Sequence, residues 1–77
     1  MKLKALKGCA ENTVFGPLSW TLGEDNVVVD VDGDVIGHLD RYRGKWALFI
    51  GQNQGPHHAS RRRAVDRGLV EMLGYIL

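Results

Sequence analysis

The stretch Asp40-Arg41-Tyr42-Arg43-Gly44-Lys45-Trp46 sets three cations and two aromatic rings within seven residues. Cationic groups on a turn reach phosphate oxygens, and an aromatic ring stacks on a base or on an arginine plane. A second basic run, His57-His58-Ala59-Ser60-Arg61-Arg62-Arg63, falls where the pattern begins a helix, whose first unpaired amides also favour anions. With Arg67 one turn further on, the candidate nucleic-acid contacts are Arg41, Tyr42, Arg43, Lys45, Arg61, Arg62, Arg63 and Arg67. The same residues have a plainer account. Basic turns are commonly just solvated, Trp46 suits a core, and Arg62 with Asp66 and Arg67 with Glu71 have the four-residue spacing of helical ion pairs.

Nucleophile and metal chemistry find less material. Cys9 with a histidine would make a nucleophile pair, and His38 with Asp40 an oriented base, but neither has a readable third group or oxyanion donor. Structural zinc needs four ligands, typically in pairs two to four residues apart, and one thiol with His38, His57 and His58 does not supply that spacing. Asp30-Val31-Asp32-Gly33-Asp34 resembles the opening of a calcium-binding EF-hand loop over five residues. That loop needs glycine sixth and a bidentate glutamate twelfth, where this chain has Val35 and Arg41. The expectation is therefore no catalytic residues, no metal and no cofactor.

Charge is unevenly distributed behind a net value of +1. Lys2, Lys4 and Lys7 open the chain. Glu11, Glu24, Asp25, Asp30, Asp32, Asp34 and Asp40 follow without a Lys or Arg among them, and residues 41–67 hold seven cations against Asp66 alone. Cross-strand pairing would neutralise such segments locally, whereas two faces of opposite potential would steer an ionic partner. Glu24, Asp25, Asp30, Asp32 and Asp34 are the candidate acidic face.

Seventy-seven residues, 44% of them hydrophobic and 25% charged, fit one globular domain with a small core. A single cysteine makes no intrachain disulfide, and no long apolar run follows the opening lysines, so the expectation is a cytoplasmic protein with no membrane segment. Period-two alternation dominates the first 50 residues. Asn26 to Val31 is rich in β-branched residues, with Val27, Val29 and Val31 on one face. Asp32-Gly33 suits a tight hairpin turn, and Val35 to Asp40 returns, with the register left open between a two- and a three-residue loop. Arg43-Gly44 makes the next turn and Lys45 to Ile50 the next strand, apolar on both faces. Leu18, Trp20 and Leu22 mark a further strand, and Lys2 to Lys7 an edge strand whose lysines deter unwanted pairing.

Residues 51–59 read as loop and 60–76 as a helix N-capped by Ser60, with Ala64, Val65, Gly68, Leu69, Met72 and Ile76 as its buried stripe. Val70, Leu73 and Leu77 lie off that stripe and form a candidate apolar contact patch, for a protein partner or a homodimer. The expected fold is α+β: four to five antiparallel strands in residues 1–50, with one C-terminal helix packed on one face.

The order of sheet, glycine-rich loop, basic helix start and apolar helix is similar to the C-terminal half of a double-stranded-RNA-binding domain. Residues 1–25, with Gly8, Gly16, Pro17 and Gly23, hold no counterpart to that family's first helix, so none of its binding residues is carried over. The compact layout also looks like short phage and mobile-element proteins that occlude a host target. The expectation is a non-enzymatic inhibitor or adaptor acting by protein–protein contact, on a nucleic-acid-handling host complex. The alternative is a nucleic-acid-binding module using residues 41–46 and 61–63.

Overall fold

A computed structural model of the chain describes residues 5–74. Six strands, β1 (Leu6–Thr13), β2 (Gly16–Leu22), β3 (Val27–Val29), β4 (Val35–Tyr42), β5 (Lys45–Ile50) and β6 (Asn53–Gln54), form one antiparallel meander in chain order. Helix α1 (Arg61–Leu73) follows. The α+β class and the single C-terminal helix are as expected, but the strands number six rather than four to five. The sixth lies in the segment read as loop. Gly51, at φ 59°, turns the chain so that Ile50 faces Asn53 and Phe49 faces Gln54.

Strand alternation explains the two faces. Leu6, Gly8 and Ala10 of β1 stand opposite Leu22, Trp20 and Leu18 of β2. Leu22 continues the row to Val28 and Gly37, and Leu39 pairs with Leu48. This face receives the helix, whose Ala64, Val65, Gly68 and Leu69 are buried against it. The helix touches both β1 and β5, strands from near the two ends of the sheet order, so the sheet curls around it. That curl corrects one expectation: Val70 and Leu73 are partly buried and packed against the core rather than standing free, and Leu77 lies outside the described residues.

The strand expected over Asn26 to Val31 is only three residues long. Val28 pairs with Gly37 but Val29 with Val35, so Ile36 is an extra residue and the ladder bulges. Beyond Val29 the carboxylate of Asp30 accepts the amides of Asp32 and Asp34 at 2.9 and 3.0 Å, bending the chain and leaving Val31 80% exposed instead of in line with Val27 and Val29. The edge strand expected over Lys2 to Lys7 runs instead over Leu6–Thr13, and Met1 to Lys4 lie outside the described residues.

Ser60 caps the helix as expected, its Oγ accepting the Arg63 amide at 3.3 Å. The helix ends at Leu73 rather than near 76, because Gly74 turns extended and bridges to Thr13 while the Val14 amide donates to the Leu73 carbonyl at 2.7 Å. Ile76 lies outside the described residues. At the other end, His58 and Trp46 exchange backbone hydrogen bonds of 2.7 and 2.8 Å, so backbone bonds clamp the helical segment to the sheet at both ends. Among the described residues no helix is long and apolar enough to cross a membrane.

Candidate functional site

The β4–β5 hairpin closes through Arg43 and Gly44, both at positive φ (52° and 79°), directly between the paired residues Tyr42 and Lys45. A two-residue turn of this hand matches the twist of the strands, and glycine adopts it freely, whereas arginine there is uncommon. The turn projects the Arg43 side chain back over Tyr42, its guanidinium carbon 5.3 Å from the ring centre. Tyr42 is 61% exposed and meets His57 at 6.2 Å between centroids.

Alternation sends Arg41 and its partner Trp46 to the opposite, helix-bearing face. There the Arg41 guanidinium lies 5.6 Å from the Trp46 ring centre and that of Arg61, from the first helical turn, 6.0 Å. Arg61 also donates to the Asn26 side chain at 3.3 Å. Thus Arg41 and the sequence-distant Arg61 meet at Trp46 on the helix-bearing face, while Arg43 covers Tyr42 on the other face of the same hairpin end, where Lys45 is the partner of Tyr42. Each guanidinium–ring contact contributes about 0.5–1 kcal/mol at such exposed positions. A guanidinium beside a ring face has five N–H donors, enough for a phosphate contact as well.

Arg62, Arg63 and Arg67 belong to a different patch. They line a shallow depression along the helix with His58, Ser60 and Asp66. Arg62 donates to the Lys7 carbonyl and stacks 6.0 Å from Trp20, and the Asp66 carboxylate accepts the Trp20 indole N–H at 2.6 Å. Arg62 and Asp66, four residues apart in the helix, are thus each engaged elsewhere.

On the sheet face away from the helix, Asp40 opposite Ala47, Tyr42 opposite Lys45 and Phe49 opposite Gln54 enclose an open groove of about 370 Å³. Ala47, 1% exposed, is its floor. Tyr42, Phe49, Asp40, Gln54 and His57 line it, and Arg41, whose guanidinium lies by Trp46 on the other face, borders it. Gln54 Nε2 and His57 Nε2 are 3.1 Å apart, a side-chain hydrogen bond that ties β6 to the segment before the helix. Phe49 stacks in turn on His38, centroids 5.4 Å apart and planes within 12°. Sequence reasoning missed Ala47, Phe49 and Gln54 as site residues. For Ala47 and Phe49 the signal was the second face of a strand whose first face, Trp46, Leu48 and Ile50, drew attention as core, whereas Gln54 on β6 carried none.

The acidic candidates lie in two loops. Glu24 and Asp25 lie in the β2–β3 turn, where Asp25 accepts the Val27 amide at 3.1 Å, and Asp30, Asp32 and Asp34 lie in the β3–β4 turn. Strand β3 separates the two loops. Asp30, Asp32 and Asp34 form the one group of three potential metal ligands among the described residues, their oxygens within 4.8 Å of one another. The two amides bonded to Asp30 account for its place in that group. Cys9 is exposed on β1.

The exposed apolar side chains include Val14 and Phe15, 55% and 71% exposed in the β1–β2 turn. Buried Thr13 stiffens this turn, its hydroxyl donating to the Gly16 carbonyl at 2.5 Å and accepting the Phe15 amide at 3.2 Å. No family model, curated protein or solved structure matches this chain.

Proposed function

We propose that this protein is a small non-enzymatic module that binds single-stranded nucleic acid through the tip of the β4–β5 hairpin and the adjoining helix start. The observation that carries the reading is the gathering of Arg41, Arg43, Lys45 and Arg61 around Tyr42 and Trp46. Cations that follow a backbone, beside rings on which bases stack, are the two components of sequence-tolerant single-strand binding. An exposed hairpin tip suits a flexible strand better than the regular spacing of duplex phosphates. A cytoplasmic setting fits this reading and the unpaired thiol of Cys9.

The inhibitor or adaptor reading retains one supporting observation, the apolar Val14–Phe15 knuckle held rigid by Thr13. Its other two candidate surfaces are the carboxylates, divided between two loops, and Val70 and Leu73, half-buried against the core.

Fluorescence anisotropy with a labelled single-stranded 12-mer across a salt series tests the nucleic-acid reading. Affinity should fall steeply with salt, and Arg41→Ala and Arg43→Ala should each weaken binding and flatten the log–log slope by about 0.7, the value for one single-strand phosphate contact. Absent binding at low salt, or a slope indifferent to both substitutions, overturns it.

A further inference from the structure

The groove on the open sheet face has a shape and a set of polar groups that the hairpin tip alone does not use. About 370 Å³ is at the small end of ligand-binding cavities, enough for one nucleotide unit and not for a longer stretch of chain. Tyr42 and Phe49 contribute aromatic surface to its lining, which suits an aromatic occupant. Arg43 over Tyr42, and Lys45 as the cross-strand partner of Tyr42, place positive charge near that lining residue, which favours an occupant carrying a phosphate.

The polar lining then selects among bases. Asp40 has its carboxylate oriented by the Arg41 amide, which donates to Oδ1 at 2.8 Å. Gln54 is tied to the His57 ring at 3.1 Å. The Asp40 carboxylate therefore presents the acceptors to an occupant. Guanine alone carries two adjacent donors, N1–H and the N2 amino group, on its pairing edge, and a carboxylate accepts from both. Uracil and thymine set a single N–H between two carbonyls, and adenine and cytosine each place an acceptor beside the amino group, so all of them would bring an acceptor against Asp40.

We infer that the groove bounded by Asp40, Tyr42, Ala47, Phe49, Gln54 and His57 takes one guanine base of a bound single strand, read by Asp40 beside the aromatic lining of Tyr42 and Phe49. This inference rests on the proposed single-strand function and adds a base preference to it.

The test compares labelled nonamers of uridine carrying a central guanosine, adenosine or cytidine with the all-uridine strand, at one salt concentration. The wild-type protein should bind the guanosine strand about tenfold or more tightly than the other three, the lower end of discrimination by a bidentate base contact. Asp40→Asn should abolish that preference without weakening the all-uridine strand, because it exchanges a pure acceptor for a mixed group and removes a negative charge. Asp40 is exposed, so the variant should fold, which circular dichroism checks. Equal binding of all four strands by the wild type overturns the guanine groove and leaves the single-strand reading standing. A guanosine preference that survives Asp40→Asn overturns the assignment to this groove. Failure of every strand to bind overturns both, including where guanosine monophosphate alone binds, since the occupant would then be a free nucleotide.

Discussion

The indole of Trp20 lies across Gly8 and donates its N–H to Asp66, so one buried ring joins β1, β2 and the helix. Glycine at position 8 follows from that contact, because a Cβ there would come within 2.7 Å of the indole Cε2, well inside van der Waals range. The ring has little freedom to yield, being 2% exposed and held by its hydrogen bond. Gly8→Ala should therefore destabilise the protein by about 1–3 kcal/mol, the usual cost of overpacking, despite the better strand propensity of alanine. Urea denaturation followed by tryptophan fluorescence reads this directly, and an unchanged midpoint would contradict the packing described. At this scale the sequence spoke plainly about residue type but not about proximity. Asp66 reads as an ion-pair partner for Arg62 at helical spacing, yet it serves an indole 46 residues away.

At the scale of elements, the β3–β4 hairpin depends unequally on its three aspartates. Asp30 alone accepts two loop amides, while Asp32 and Asp34 add exposed charge within 4.8 Å of it. Asp30→Ala should cost about 1–2 kcal/mol through loss of these charge-assisted bonds. Asp32→Ala should be close to neutral, since it also relieves like-charge repulsion. Thermal unfolding of the two variants, with and without calcium, separates this from a metal loop, in which both substitutions would erase a calcium-dependent rise in melting temperature. The hairpin itself was legible from Val27, Val28 and Val29 leading to Asp32-Gly33, because β-branched residues and a positive-φ turn are local signals. Its register was not, since the bulge at Ile36 arises from pairing with a partner strand and from the grip of Asp30 on the loop. β6 escaped notice for a related reason: Asn53 and Gln54 have no strand propensity, and only the ladder offered by β5 makes them a strand.

Across the whole molecule, the basic and aromatic residues singled out from sequence divide into a hairpin cluster and a helix-flank patch, a division that depends on how the sheet curls. The groove was hidden for the same reason, because alternation shows which residues share a face but not which face the single helix leaves open. One helix has to serve a six-stranded sheet, so its few buried side chains carry an unusual share of the stability. A chain of this length has a total of about 4–12 kcal/mol at typical values per residue. Leu69 is fully buried in the helix stripe, in the same core cluster as Leu48, Val65 and Trp20. Leu69→Ala should cost about 2–5 kcal/mol in transfer and cavity terms, a large fraction of that total. The helix is clamped to Thr13 at one end and Trp46 at the other, so it should not peel away by itself. The variant should then lose helix and sheet together, in one transition at a lower urea concentration, with far-ultraviolet circular dichroism and tryptophan fluorescence superimposing. If the circular dichroism of the helix were lost before the fluorescence change of Trp20, the helix would be an independent unit resting on a self-sufficient sheet, and the clamped architecture would be wrong.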